Sequence, residues 1–113
     1  MFARNVTLHL KADKANEFTR TLETDVLPIL RRQPGFKDEI TFLATDKDEA
    51  VAISLWDKKE NAETYSRETY PTILQKLSRV VDGTPQVESY EVANSTFHNV
   101  GMQSQSFSSS ASR

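Results

Sequence analysis

The side chains able to do chemistry in this chain are few, and their types narrow the reactions open to it. There is no cysteine, which removes thiolate nucleophiles, disulfides and thiolate metal sites together. The only histidines, His9 and His98, stand in distant segments without clustered His-carboxylate spacing, so no metal site is read. No serine occupies a Gly-x-Ser-x-Gly elbow, and three scattered glycines cannot cradle a phosphate. What remains is Arg4, on an otherwise apolar strand face, and the aromatic residues Phe42, Trp56, Tyr65 and Tyr70. Aromatic walls with one cation suit a flat, weakly acidic ligand: the rings bury its faces and the guanidinium holds its anion. Each of these residues also has an ordinary structural use. A tryptophan at a strand end and tyrosines at helical spacing pack cores, and a strand arginine snorkels outward or forms an ion pair.

Composition sets the frame for such a site. The 113 residues suffice for one domain. Apolar residues make up 37% of the chain, about 40% with glycine, against a usual 45–50%; the core is lean. Fourteen basic and sixteen acidic side chains leave a net charge of −2, so no basic footprint for nucleic acid or an anionic membrane exists. No apolar run approaches the roughly 18 residues of a membrane span. The opening MFARNVTLHLK alternates instead of running from charged to uniformly apolar, so no signal peptide is read and a cytoplasmic protein is expected.

The elements that must position these residues follow from periodicity. Residues 2–10 alternate strictly, with Phe2, Arg4, Val6, Leu8 and Leu10 on one face and Ala3, Asn5, Thr7 and His9 on the other, which predicts a strand. Asp13 is a candidate N-cap for a helix over 14–33, whose stripe is Phe18, Leu22, Val26, Ile29 and Leu30. Pro28 lies inside that stripe and predicts a kink near residues 24–28, and Pro34-Gly35 ends the helix. Strands are expected over 36–45, with Phe36, Ile40 and Phe42 on one face, and over 49–56. In the latter, Val51, Ile53 and Leu55 oppose Ala50, Ala52, Ser54 and Trp56. The polar TDKD between them makes a hairpin. Asp57 is placed to cap further helix, which Tyr70-Pro71 divides into about 59–68 and 71–81. Asp82-Gly83-Thr84-Pro85 reads as a turn, and 86–95 as a last strand carrying Tyr90 and Val92.

The order β-α-β-β-α-β is the α+β ferredoxin-like pattern: a four-stranded antiparallel sheet with both helices on one face. The other sheet face is bare in a monomer and exceeds the apolar patch a monomer ordinarily tolerates, so a homodimer is expected. The uncharged Ala50-Ala52-Ser54 face and the mixed Asn5-Thr7-His9 face are the candidates for the surface it covers. Residues 1–100 form the expected domain. The tail 101–113 holds six serines and is flexible by composition.

Several segments together resemble the antibiotic-biosynthesis-monooxygenase family of the dimeric α/β-barrel superfamily. They are FARNVTLHL, VLPILRRQPGF, the strand closing on SLW, ENAETYSRETYPTILQKL and VESYEV. Pro34-Gly35-Phe36 at the helix-to-strand corner and Trp56 at the strand end carry the likeness most strongly. It covers roughly residues 2–95. It implies two sheets paired face to face in a dimeric barrel, and a choice among several chemistries. Haem degradation in this superfamily uses a first-strand Asn, a second-helix Trp and a His ligand. Here Asn5 is out of phase with Val6 and Leu8, Tyr65 stands where the Trp falls, and the region of Gln75 has no His.

Cofactor-free oxygenation of a small phenol or quinol fits the remaining residues. A deprotonated, electron-rich arene reduces dioxygen itself, and the protein needs only to bind it, steady its anion and exclude water. In that reading Arg4, Phe42, Trp56, Tyr65 and Tyr70 bind the substrate, no cofactor is used, and no catalytic residue is named. The contrasting reading is a non-catalytic dimer that binds a small ligand or serves as a stress-related accessory protein. Fold does not choose between them.

Overall fold

A computed structural model describes residues 1–98 of the chain. The expected tail 101–113 lies outside the described residues. Strand β1 (Phe2–Leu10) is followed by α1 (Ala15–Thr21), a π-helical turn (Leu22–Val26) and α2 (Leu27–Arg31). Then come the hairpin of β2 (Phe36–Ala44) and β3 (Glu49–Trp56), the helices α3 (Lys59–Glu68) and α4 (Tyr70–Leu77), and β4 (Val81–Glu91). The strands lie in the order β2-β3-β1-β4 with every neighbour antiparallel, which is the ferredoxin-like arrangement the periodicity predicts.

The kink expected at Pro28 takes the form of the π turn. The Leu27 amide bonds to the Leu22 carbonyl, five residues back. A wider turn there moves backbone away from the Pro28 ring, which has no amide proton and would press on the carbonyl four residues before it. At the next corner Gly35 has φ +80°, and an added Cβ would lie 2.8 Å from Asn61 Cβ and closer still to the Asp57 carboxylate. Its carbonyl accepts the Asp57 amide at 2.8 Å. Only glycine fits this corner, which joins the start of β2 to the start of α3.

Four expectations require correction. Asp13 does not cap the first helix: it has φ +62° and Lys14 takes the cap position, without a side-chain bond. Asp57 likewise stands one residue before the α3 cap, Lys58, and accepts a hydrogen bond from Asn61 instead. The Asp82–Pro85 turn is strand. Thr7 pairs with Gln86 but His9 pairs with Asp82, so β4 accommodates two extra residues. Gly83, at φ +76°, and the donor-less Pro85 both suit such an irregularity.

The last correction concerns which face is bare. In the antiparallel register Arg4 opposes Ser54, Val6 opposes Ala52 and Leu8 opposes Ala50, and directly paired residues share a sheet face. Ala50 and Trp56 are buried, so the small-residue face lies under the helices. Val51, Ile53 and Leu55 occupy the bare face with Ala3, Asn5 and Thr7. In β2 a register shift between Phe36 and Asp38 turns Phe36 toward Trp56 while Ile40 and Phe42 point the other way, because one added residue inverts the alternation. Phe42 is 52% exposed there and is removed from the expected aromatic cluster.

The core sits between the helix-facing side of the sheet and the helices. Phe18, Val26, Trp56 and Val80 are its largest fully buried side chains, with Leu8, Leu30, Ala62, Ile73 and Leu77 around them. No helix among the described residues is long and apolar enough to cross a membrane.

Candidate functional site

Arg4 stands in the second inward position of β1 and is only 3% exposed. The break between α3 and α4 brings two tyrosines onto it. The Thr69 amide closes the last turn of α3 on the Tyr65 carbonyl at 2.9 Å, and Pro71 fits the first turn of α4 because no amide is needed there. The Thr69 hydroxyl also bonds to Gln33 Oε1 at 3.1 Å, tying this break to the end of the first helical segment. Tyr65 and Tyr70 thereby face the guanidinium from above. The Arg4 Cζ lies 4.5 Å from the Tyr70 ring centroid and 5.2 Å from that of Tyr65. Its Nη2 reaches Ser66 Oγ at 3.5 Å.

The cation has no carboxylate within ion-pair distance among the described residues, where the pairs formed are His9–Glu49, Lys14–Glu17, Lys59–Glu63, Arg67–Glu68 and His98–Asp38. Cation–π contact in a desolvated site contributes about 2 kcal/mol. That falls short of the several kcal/mol an ion loses on burial. The Tyr70 hydroxyl is itself buried without a hydrogen-bond partner among the described residues.

An aromatic series supports the tyrosines. Phe36 meets Trp56 edge-on at 5.7 Å, Trp56 lies 4.9 Å from Tyr65, and Tyr65 lies 6.2 Å from Tyr70. Trp56 is wholly buried and donates its indole N–H to Ser54 Oγ at 2.9 Å. It packs the wall from behind and does not reach the open space. That space is a cavity of about 50 Å³ between sheet and helices, with Arg4, Glu39, Ser54 and Tyr65 as its polar lining. Val6, Leu8, Phe18, Leu22, Val26, Leu30, Ile73 and Leu77 supply much of its apolar wall. Leu22 and Val26 come from the π turn, so the irregular backbone of the first helical segment borders the cavity.

Burial pushes the Tyr65 hydroxyl up to about 12, with the Arg4 charge opposing the rise in part. Burial raises Tyr70 in the same way, again against Arg4. Both phenols remain neutral donors at ordinary pH. The Glu39 carboxyl is likewise raised by burial, partly offset by the hydrogen bond from the Thr41 hydroxyl.

Of the residues singled out from sequence, Arg4, Trp56, Tyr65 and Tyr70 therefore gather in one place and Phe42 does not. Glu39, Ser54 and Ser66 belong to the gathering but escape sequence reasoning. Glu39 reads as an outward residue until the β2 register shift is known. The one signal available for Ser54 is its phase with Trp56 on an uncharged face.

No protein-family model and no curated protein matches the sequence. Solved structures do match by shape. A monooxygenase from the gene ActVA-Orf6 of Streptomyces coelicolor, in complex with the ligand nanaomycin D, superposes with a TM-score of 0.70 at 16% identity, over 83% of this chain and 88% of its own. SnoaB, a cofactor-independent oxygenase from Streptomyces nogalater, gives 0.68 at 16% identity, over 84% and 95%. The chain has the antibiotic biosynthesis monooxygenase fold. The same fold holds NE2512, a protein of unknown function from Nitrosomonas europaea, with a TM-score of 0.71 at 12% identity over 84% and 91%. The monooxygenase fold thus includes proteins without an assigned role, and the reaction has to be argued from the site.

The tyrosines give a test of this geometry by stability alone. Tyr65 ionises near 10 when the chain is unfolded and at about 12 when folded, so its contribution is complete below pH 10 and is lost as pH rises toward 12. At roughly 1.4 kcal/mol per pH unit, the loss is on the order of 3 kcal/mol. Urea unfolding followed across this range is expected to show that decline, and Tyr65→Phe to reduce it, leaving the part that Tyr70 contributes. An alkaline decline unchanged in Tyr65→Phe would place the ionising group elsewhere.

Proposed function

We propose that this protein is a cofactor-independent monooxygenase of a small phenol or quinol, bound between sheet and helices with its oxygen at Arg4. The observation that carries this reading is the Arg4 guanidinium: buried, on the wall of a cavity, capped by two neutral tyrosines, and unpaired among the described residues. A phenolate supplies the missing negative charge, and in a low-dielectric site a fixed cation stabilises it far more than water does. The flat ring lies against Tyr65 and the aliphatic wall. Once deprotonated, the bound arene is electron-rich enough to reduce dioxygen, and the buried setting keeps water from the reactive anion. The likeness in fold to an oxygenase described as cofactor-independent supports the same reaction class.

The cavity of about 50 Å³ has room for a few waters, so admitting an aromatic ring requires the wall to yield. The π turn is the place for it. Leu22 and Val26, carried by that turn, both line the cavity, and a change in their side-chain rotamers widens it while the turn itself stays fixed by Pro28. A cavity that stays closed leaves the contrasting reading, a dimer without catalytic activity.

Oxygen uptake with a panel of hydroquinones tests the reaction. The wild-type chain is expected to accelerate uptake over buffer, and Arg4→Met to lose at least about 100-fold, as when a donor to a developing oxyanion is removed. The same variant is expected to be no less stable to heat, since an apolar side chain of similar length replaces a desolvated charge. Uptake at the buffer rate with wild-type protein would sink the enzyme reading.

The second half of the proposal is a homodimer closed over the bare sheet face. Ile40, Phe42 and Tyr90 are each about half exposed there, beside Val51, Ile53 and Leu55. These apolar side chains, set among the polar Asn5, Thr7 and Glu88 of the same face, favour burial against a second copy. After β4, His98 reaches Asp38 of β2, and Phe97 borders a hollow of about 300 Å³ with Ile40, Ile53 and Leu55. Sedimentation equilibrium is expected to give twice the 12.8 kDa chain mass, and Ile53→Glu to give a monomer. A monomeric wild type at micromolar concentration would overturn this half and leave the site argument intact.

A further inference from the structure

A phenol oxygen at Arg4 still has to lose its proton, and the guanidinium is no acceptor. We infer that Glu39 is the proton acceptor of this site, taking the hydroxyl proton of a phenol held between it and Arg4 and releasing it to the solvent groove behind β2. The inference rests on the functional reading above and adds a catalytic residue to it.

Glu39 pairs with Ser54, and Ser54 pairs with Arg4, so the three form one cross-strand row on the helix-facing side of the sheet. Neighbouring strands lie about 4.8 Å apart, which separates the backbones of Glu39 and Arg4 by two such steps. All three line the same cavity, yet Arg4 and Glu39 do not form an ion pair among the described residues. The row is therefore an acceptor and a cation set apart, with a hydroxyl between them. A phenol oxygen above Ser54 accepts from Arg4 and Ser54 and donates to Glu39.

The Thr41 hydroxyl donates to Glu39 Oε2, which orients the group and leaves Oε1 without a hydrogen bond among the described residues. Glu39 also borders an outer groove of about 390 Å³ lined by Leu27, Arg31, Phe36 and Lys37. Glu39 thus borders both the interior cavity and the outer groove, the placement a group that removes protons repeatedly needs. Burial in the cavity wall raises its proton affinity toward that of a phenol. The charged and titratable groups around it are Arg4 from β1, Tyr65 from α3, Arg31 from α2 and its strand neighbours Lys37 and Asp38.

The step balances without another reagent. The phenol O–H bond breaks, the proton joins Oε1, and the electron pair stays on the phenolate oxygen beside Arg4. Nothing is oxidised until dioxygen arrives. Loss of the proton from Glu39 to groove water restores the carboxylate.

Two readouts on the intact protein test the assignment: quenching of Trp56, the only tryptophan of the chain, by naphthol, and oxygen uptake with a naphthohydroquinone across pH. In Glu39→Gln, naphthol quenching is expected within about 3-fold of wild type. Uptake is expected to fall about 100-fold, with the acid limb of the pH profile gone. Thr41→Val, which removes the hydrogen bond that lowers Glu39 proton affinity, is expected to move that limb to higher pH. A Glu39→Gln protein with wild-type uptake and an unchanged acid limb would overturn the role of Glu39 while leaving the site itself standing. Wild-type protein that neither quenches nor consumes oxygen would overturn the functional reading and this inference with it.

Discussion

The architecture turns on a guanidinium placed where a small domain cannot hydrate it. Arg4 occupies a position in the inward row of β1 that a strand of this pattern gives to valine or leucine, and the chain surrounds it with π faces in place of a carboxylate. Tyrosine rings attract the cation without cancelling its charge. The guanidinium therefore keeps its charge available to a ligand, with the Glu39 carboxyl on the same cavity wall but not in ion-pair contact with it among the described residues. The break at Thr69 and Pro71, the aromatic series back to Phe36 and the Gly35 corner all maintain that arrangement. The Arg4 charge in turn opposes the burial-driven rise of both tyrosines.

The small residues of β3 serve the same arrangement. Ala50, Ala52 and Ser54 lie opposite Leu8, Val6 and Arg4, and their small size leaves room above the sheet for a long side chain and a cavity. The larger Val51, Ile53 and Leu55 are sent to the opposite face, where they join Ile40 and Phe42. Within β3 up to Leu55, the small residues are thus under the helices and the larger ones on the bare face.

Element order, the hairpin and the inward direction of Arg4 were legible because each rests on a periodicity repeated several times. Strict alternation over nine residues of β1 admits a single phase. The kink at Pro28 was legible because a missing amide has a fixed consequence. What escaped were the irregularities of a single residue or two. The β2 register shift after Phe36 inverts the direction of every residue beyond it, moving Phe42 out of the site and Glu39 into it. Asp82–Pro85 has turn composition, but pairing with β1 on its flanks holds it in the sheet as an irregular strand. The Ala50-Ala52-Ser54 face was misassigned for a related reason: small uncharged residues suit a helix-covered surface and a dimer surface equally, and only the register with Arg4 decides.

The central claim is that Arg4 makes the cavity a site for a phenolate. The ionisation state of a bound chromogenic phenol reads this directly. With para-nitrophenol, the account predicts that wild-type protein binds the phenol and shifts its absorbance to the nitrophenolate form at a pH where the free compound is largely neutral. Arg4→Met would produce no such shift. Binding with the phenol left neutral, or an equal shift in both proteins, would contradict it.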